Sequence, residues 1–211
     1  MKKSLGMALC LVVFALGLLA MRPSVPPVRV NAGTFHVYHP TVIVFHLRIY
    51  PVVGKPTISA SFINRVLSAY GSPAAGKGQA LYDLGITYGI DPVYALAFFG
   101  HESRFGTTGE ARKTLSLGNE RCIADRPCIA ENQGGYAQMS SWEDGFAHWY
   151  QLIKQGYVEG QVTIPLVGHV CVTVDQIIPV YAPSSDYNDV QGYIAAVKQA
   201  VDTWRKGEVQ V

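Results

Sequence analysis

Residues 58–206 read as a mainly α domain, and three observations predict it. Apolar residues recur at helical spacing in successive segments, and capping residues stand directly before several of them. The span, about 150 residues, is a common size for one domain, and no internal repeat divides it.

Two stretches precede that domain. Met1-Lys2-Lys3 is a basic start, and Leu5–Met21 is a run of 17 residues without charge. Residues 1–22 are therefore a signal peptide or a membrane anchor. The run lies at the lower limit for a spanning helix, and no clean small-x-small cleavage site precedes Pro23. That tilts the reading toward a retained anchor, and either outcome places the rest outside the cytoplasm. Residues 23–57 read as a stalk containing Pro23, Pro26 and Pro27, followed by a short β-like arm over Phe35–Tyr50. His36, His39 and His46 fall in that arm without a carboxylate or cysteine beside them, so a structural arm is expected there, and no metal.

The helices follow in order. Ile63, Val66, Leu67 and Tyr70 keep helical spacing behind Ser59 or Ser61 as a cap. Leu81, Leu84 and Tyr88 mark a second helix. The third spans Pro92–Glu102, with Asp91 as cap and Pro92 in the first turn, where a missing N–H costs nothing. Ser141-Trp142-Glu143-Asp144 has the form of a capping box ahead of Phe146, Trp149, Tyr150 and Ile153. Thr173 and Gln176 repeat that signature before Ile177, Ile178 and Tyr181. A last helix runs from about Asp189 to Arg205, with Val190, Tyr193, Ile194, Val197, Val201 and Trp204 inward. Gly71-Ser72-Pro73-Ala74-Ala75-Gly76-Lys77 has phosphate-loop spacing, but Gly78 stands where a magnesium-binding hydroxyl belongs. The preceding segment is helical, so this is a connecting loop.

Composition narrows the function classes. The chain has 211 residues, 49% of them hydrophobic, and a net charge of only +2, which argues against a dedicated nucleic-acid binder. Of four cysteines, Cys10 lies in the apolar run; Cys122 and Cys128 are candidates for a disulfide across Ile-Ala-Asp-Arg-Pro. Pairing of either with Cys171 is the alternative. No Cys/His cluster has zinc spacing, and no cofactor is expected.

The chemistry centres on Glu102. It ends an otherwise uncharged helix, facing the negative end of the helix dipole, with Phe98, Phe99 and Phe105 close in sequence to strip water from it. Both effects favour the protonated acid that a proton donor at neutral pH needs. A lone helix-end glutamate is ordinarily just solvated, so the residues beyond it carry the weight. Gly106-Thr107-Thr108-Gly109, Leu117-Gly118-Asn119, Gly134-Gly135-Tyr136-Ala137-Gln138-Met139 and Trp142-Glu143-Asp144-Gly145 form a long polar, glycine-rich region. Ordered loops of that length are usually functional, and these amides and aromatic rings suit a sugar groove.

Glu102-Ser103-Arg104-Phe105-Gly106-Thr107, Leu117-Gly118-Asn119, Gly135-Tyr136-Ala137, Ser141-Trp142-Glu143-Asp144-Gly145 and Tyr181-Ala182-Pro183 occur in one order. That ordered set, with Asn188 and Tyr193 after it, resembles the bacterial cell-wall glucosaminidase family within the lysozyme-like superfamily. The resemblance covers residues 58–206 and implies a lysozyme-like helical fold with a cleft for the glycan strand of peptidoglycan. It implies Glu102 as the catalytic residue and Ser103, Asn119, Tyr136, Gln138 and Tyr181 as substrate-binding residues. Ser103 would help orient the acid, Tyr136 would line the far side of the cleft, and Tyr181 would close the sugar site. The Cys122–Cys128 segment departs from the family pattern as an insertion between Asn119 and Tyr136.

The expected activity is an endo-β-N-acetylglucosaminidase that hydrolyses the β-1,4 bond of the strand with Glu102 as general acid. A second carboxylate is not evident: Glu143 and Asp144 suit a helix N-terminus, while Glu120 and Glu131 remain candidate bases. The substrate's acetamido group could replace it. A lytic transglycosylase and a non-catalytic glycan-binding module are the alternatives. The expected partners are peptidoglycan strands, with membrane attachment through the N-terminus if that segment is retained, and the protein is expected to be a monomer.

Overall fold

A computed structural model describes residues 48–160 and 171–211. The N-terminal apolar segment, the stalk, the three arm histidines and Cys10 lie outside the described residues, as does all of the β-like arm before residue 48.

Among the described residues there are seven α-helices: α1 Ala60–Ala69, α2 Gly78–Tyr88, α3 Pro92–Ser103, α4 Ala111–Thr114, α5 Trp142–Gln151, α6 Val174–Tyr181 and α7 Val190–Arg205. A two-stranded antiparallel ribbon, β1 Cys128–Ile129 and β2 Tyr136–Ala137, pairs Cys128 with Ala137 and Ile129 with Tyr136. None of these helices is long and apolar enough to cross a membrane.

The centre of the domain is α3. Pro92 to Phe99 are all buried, which is the fate of a helix that is apolar on every face. It packs on α7, while α1 packs on α2, α2 on α5 and α6 on α7. The caps read from sequence hold these helices at their starts. Ser59 Oγ accepts from the Phe62 amide at 3.2 Å, and Asp91 Oδ1 accepts from the Val93 amide at 3.2 Å. Ser141 Oγ accepts from the Asp144 amide at 3.0 Å, but the Asp144 carboxylate turns to Ser140 instead of closing the box. Thr173 and Gln176 do form the reciprocal box, with the Thr173 amide donating to Gln176 Oε1 at 3.2 Å.

Two features differ from the expected outline. The packed body includes residues before 58: Tyr50 and Val52 belong to the core, and residues 50–52 run as a strap between two elements. The Val52 amide donates to Val172 O at 2.9 Å, and Val52 O accepts from the Asp91 amide at 3.0 Å. Pro51 and Val53, which alternate with them in the extended pattern, are exposed. The second difference is that α5 continues through a π-helical segment, Leu152–Val158, which buries Ile153 and Tyr157.

Candidate active site

Glu102 sits in the last turn of α3. The helix stops because Arg104, Phe105 and Gly106 take positive φ of 47°, 56° and 80°, reversing the chain. The Phe105 amide donates to Phe99 O at 3.0 Å, satisfying a carbonyl that the ended helix would leave open.

Ser103 secures this reversal. It is fully buried, donates to Leu117 O at 2.8 Å and accepts from the Gly106 amide at 2.9 Å. Its hydroxyl thus fastens the helix end to the 115–119 loop and presents no surface to a ligand. Asn119, held at φ 48°, donates from Nδ2 to the Glu102 carbonyl at 2.8 Å. Tyr181 donates to Gly118 O at 3.1 Å from α6. At Gly118 an added Cβ would lie 2.8 Å from the Trp149 ring, so the loop presses directly on α5.

The acid itself is held by a residue from the other end of the chain. Tyr193, buried on α7, donates from its hydroxyl to Glu102 Oε1 at 2.6 Å. Its ring stacks on His101 with centroids 3.7 Å apart and lies against Phe98. Burial pushes the Glu102 carboxyl above its usual range, while the Tyr193 hydrogen bond and the Arg121 charge pull it part of the way back. Of the three expected aromatic shields, only Phe98 contacts the rings around the acid, packing on Tyr181 and Tyr193. Phe99 packs on Phe146 and Trp149, and Phe105 on Tyr70 and Trp204. Residues 98 and 102 are one helical turn apart and share a face, whereas Phe105 lies beyond the reversal.

The ribbon supplies a second group of residues. Tyr136 pairs with Ile129 on one side and bridges Arg121 on the other, with the Arg121 guanidinium carbon 5.0 Å from its ring centroid. Gln138 donates from Nε2 to Lys113 O at 3.1 Å, anchoring the chain just past β2 to α4. Cys122 and Cys128 form the disulfide, and a Cβ on Gly135 would meet both of their sulfurs, so the bridge is seated under the residue before Tyr136. Cys171 is buried in the core.

Of the two candidate bases, Glu120 is 6% exposed and paired with His148 Nδ1 from α5. Glu120 in turn raises the His148 imidazole above its usual value, against the opposing effect of burial. Glu131 opens a 3-10 turn at the surface. A cavity of about 610 Å³ lies between α3 and α7, with Phe105 and Trp204 in its wall and His101 and Arg104 at its lining; Glu102, Tyr136 and Gln138 are not part of it.

Two residues at the site were not among the expected site residues. Tyr193 was legible as an inward residue of α7, though not as the partner of Glu102, 91 positions away. Arg121 gave only a weak signal, as a cation directly before the inserted Cys122–Cys128 segment.

No family model and no curated protein matches the sequence. Solved structures do match the fold. A crystal structure of S. aureus autolysin E in complex with the muropeptide NAM-L-Ala-D-iGlu has a TM-score of 0.50 at 13% identity, over 75% of this chain and 71% of that one. A catalytic glutamate-to-alanine mutant of the same protein, in complex with the disaccharide NAG-NAM, has a TM-score of 0.52 at 13% identity, over 78% and 74% of the two chains. The chain shares the autolysin E fold. It is a mainly α, lysozyme-like domain in which the glycine-rich loops lie beside the end of the buried helix α3.

Proposed function

We propose that this protein is a peptidoglycan hydrolase, an endo-β-N-acetylglucosaminidase that cleaves the β-1,4 bond of the glycan strand with Glu102 as general acid. One observation carries the reading: a single carboxylate, its acidity weakened by burial, stands at the end of the central helix with one oxygen held by Tyr193. A catalytic glutamate and a bound NAG-NAM disaccharide in a protein of the same fold support it. With Oε1 accepting from Tyr193, the acidic proton resides on Oε2 and passes from there to the glycosidic oxygen as the bond breaks.

Neither candidate base is placed to serve the second half of the reaction. Glu120 is committed to His148, and Glu131 lies on the surface turn. The substrate's acetamido oxygen then attacks the anomeric carbon, and water opens the resulting ring, returning a proton to Glu102. Asn119, Tyr136, Gln138 and Tyr181 build the surroundings of the cleft, with Ser103 acting from behind it. Residues 1–22 and the proline-containing stalk that follows them carry the domain to an extracytoplasmic site.

The test is mass spectrometry of peptidoglycan digested by the full chain and by Glu102→Gln. Free N-acetylglucosamine reducing ends that vanish in the folded variant are expected. Anhydro-muramic ends would make the protein a transglycosylase using the same acid. No product from folded wild-type protein would leave a glycan-binding module and discard the enzyme.

A further inference from the structure

The cavity between α3 and α7 takes no part in the chemistry proposed for Glu102. Ala97, Gly100, His101 and Arg104 line it, three and four residues apart on one face of α3. The gap exists because the facing residues are small. Ala196 and Ala200 border it from α7, and a Cβ on Gly100 would lie 2.9 Å from the Phe105 ring. That missing side chain lets Phe105 fold back over α3, where it walls the cavity beside Tyr70 and Trp204. Ala97, Phe105, Ala200 and Trp204 are all buried, so these walls see little water.

The cavity has a polar end and an apolar end. The two helices run antiparallel, with Glu102 beside Tyr193 at one end and Asp91 beside Arg205 at the other. His101, Arg104 and Ala196 therefore stand toward the acid, and Ala97 and Trp204 away from it. Residues 97 and 104 are separated by about 10 Å of helix rise. Among the described residues no Asp or Glu lines the cavity, and Arg104 pairs with no carboxylate.

We propose that this cavity is a binding site for a medium-chain acyl carboxylate, its head at Arg104 and its chain running toward Trp204. A guanidinium presents paired donors that match a carboxylate, and apolar walls nearby strengthen such a pair. Each methylene removed from water against the alanines and aromatic rings adds to the affinity. The volume, about 610 Å³, falls in the usual range of small-molecule sites. A glycan fits less well, since its hydroxyls would meet mainly alanine and ring carbon. The site is distinct from the cleft but borders its support: His101 lines the cavity, and its ring stacks on Tyr193, which holds Glu102.

The experiment is calorimetric titration of the full chain with octanoate, octanol and acetate, with tryptophan fluorescence read alongside. Octanoate is expected to bind saturably, about tenfold or more tighter than octanol, which lacks the charge, and than acetate, which lacks the chain. Arg104→Gln should weaken octanoate about tenfold and leave octanol within about twofold of wild type. Arg104→Lys should recover part of the loss. Ala196→Leu, which fills the cavity from α7, should abolish octanoate binding. Trp204→Phe should keep the binding heat and lose most of the fluorescence change. Arg104 is exposed, so its substitution spares the packing, and Arg104→Gln decides the matter alone if Ala196→Leu fails to fold. Octanol binding as tightly as octanoate overturns the proposal, as does wild-type affinity in Arg104→Gln or the absence of saturable octanoate binding. No glycan enters the titration, so a failed peptidoglycan digest and a failed octanoate titration are separate results.

Discussion

At the scale of single residues, Glu102 was legible as a candidate acid, and the residue that holds its carboxylate was not. Glu102 announced itself through local context: an uncharged run, a helix end and a polar loop after it. Its environment depends on the meeting of α3 with α7, which no local pattern encodes. Burial raises the Glu102 carboxyl, and Tyr193 moderates that rise. Glu102→Gln should lower turnover by roughly 10²- to 10⁴-fold, the usual contribution of general acid catalysis. The same variant should be more stable at neutral pH. A carboxyl whose folded-state pKa is raised holds more protons folded than unfolded, so stability falls as pH rises past its ordinary value of 4.5. Thermal melts of the two proteins should therefore converge below about pH 4 and separate above it, with the variant higher. A variant melting below wild type at pH 7 would contradict the burial argument. Tyr193→Phe removes the bond that favours the carboxylate, so the alkaline limb of the pH–rate profile should move upward. An unmoved limb would show that the hydroxyl does not act on the acid.

At the scale of elements, capped helices were readable and short elements were not. Ser59, Asp91, Ser141 and Thr173 mark their helices because each cap is a local event of three or four residues. The four-residue α4, the two-residue strands and the π-helical end of α5 carry too few residues to impose a period. They exist because tertiary contacts hold them, as when the Ala137 amide donates to Glu120 O at 3.0 Å. The disulfide is the clearest such constraint. It closes a loop with a sequence separation of 6, a length for which chain entropy gives roughly 2 kcal/mol. Arg126, inside that loop, bonds Asp144 on α5 at 3.1 Å, and the bridge sits under Gly135. Opening it with a reductant, or by Cys122→Ser with Cys128→Ser, should loosen the Tyr136 side of the cleft while leaving Glu102 in place. The expected signature is a KM raised several-fold with kcat nearly kept. A collapse of kcat at unchanged KM would place the bridge's effect on the acid instead.

At the scale of the whole molecule, the sequence-based boundary at residue 58 fell short because an extended strap has no helical period to reveal it. The strap's attachment converges on one side chain. Asp91 read as a helix cap, and it is one, but at 2% exposure it also serves three separated parts of the chain. Its Oδ1 accepts from the Thr57 amide at 3.0 Å, and its Oδ2 accepts from the Thr57 hydroxyl at 2.6 Å and from Arg205 Nη2 at 3.0 Å. It thus ties the segment before α1, the start of α3 and the end of α7. Removing the carboxylate would leave the Arg205 guanidinium and the Thr57 amide without this acceptor in a largely buried place. Breaking a buried pair on one side costs about 3–5 kcal/mol. Arg205 keeps part of its side chain in solvent, at 27% exposure, so the lower end of that range applies. Asp91→Ala should therefore lose about 3 kcal/mol in urea unfolding. Asp91→Asn, which can still cap α3, should lose less. Glu102 lies at the opposite end of α3, so activity per folded molecule should stay near wild type at low temperature. A melting curve for Asp91→Ala within about one degree of wild type would mean that the three attachments are redundant.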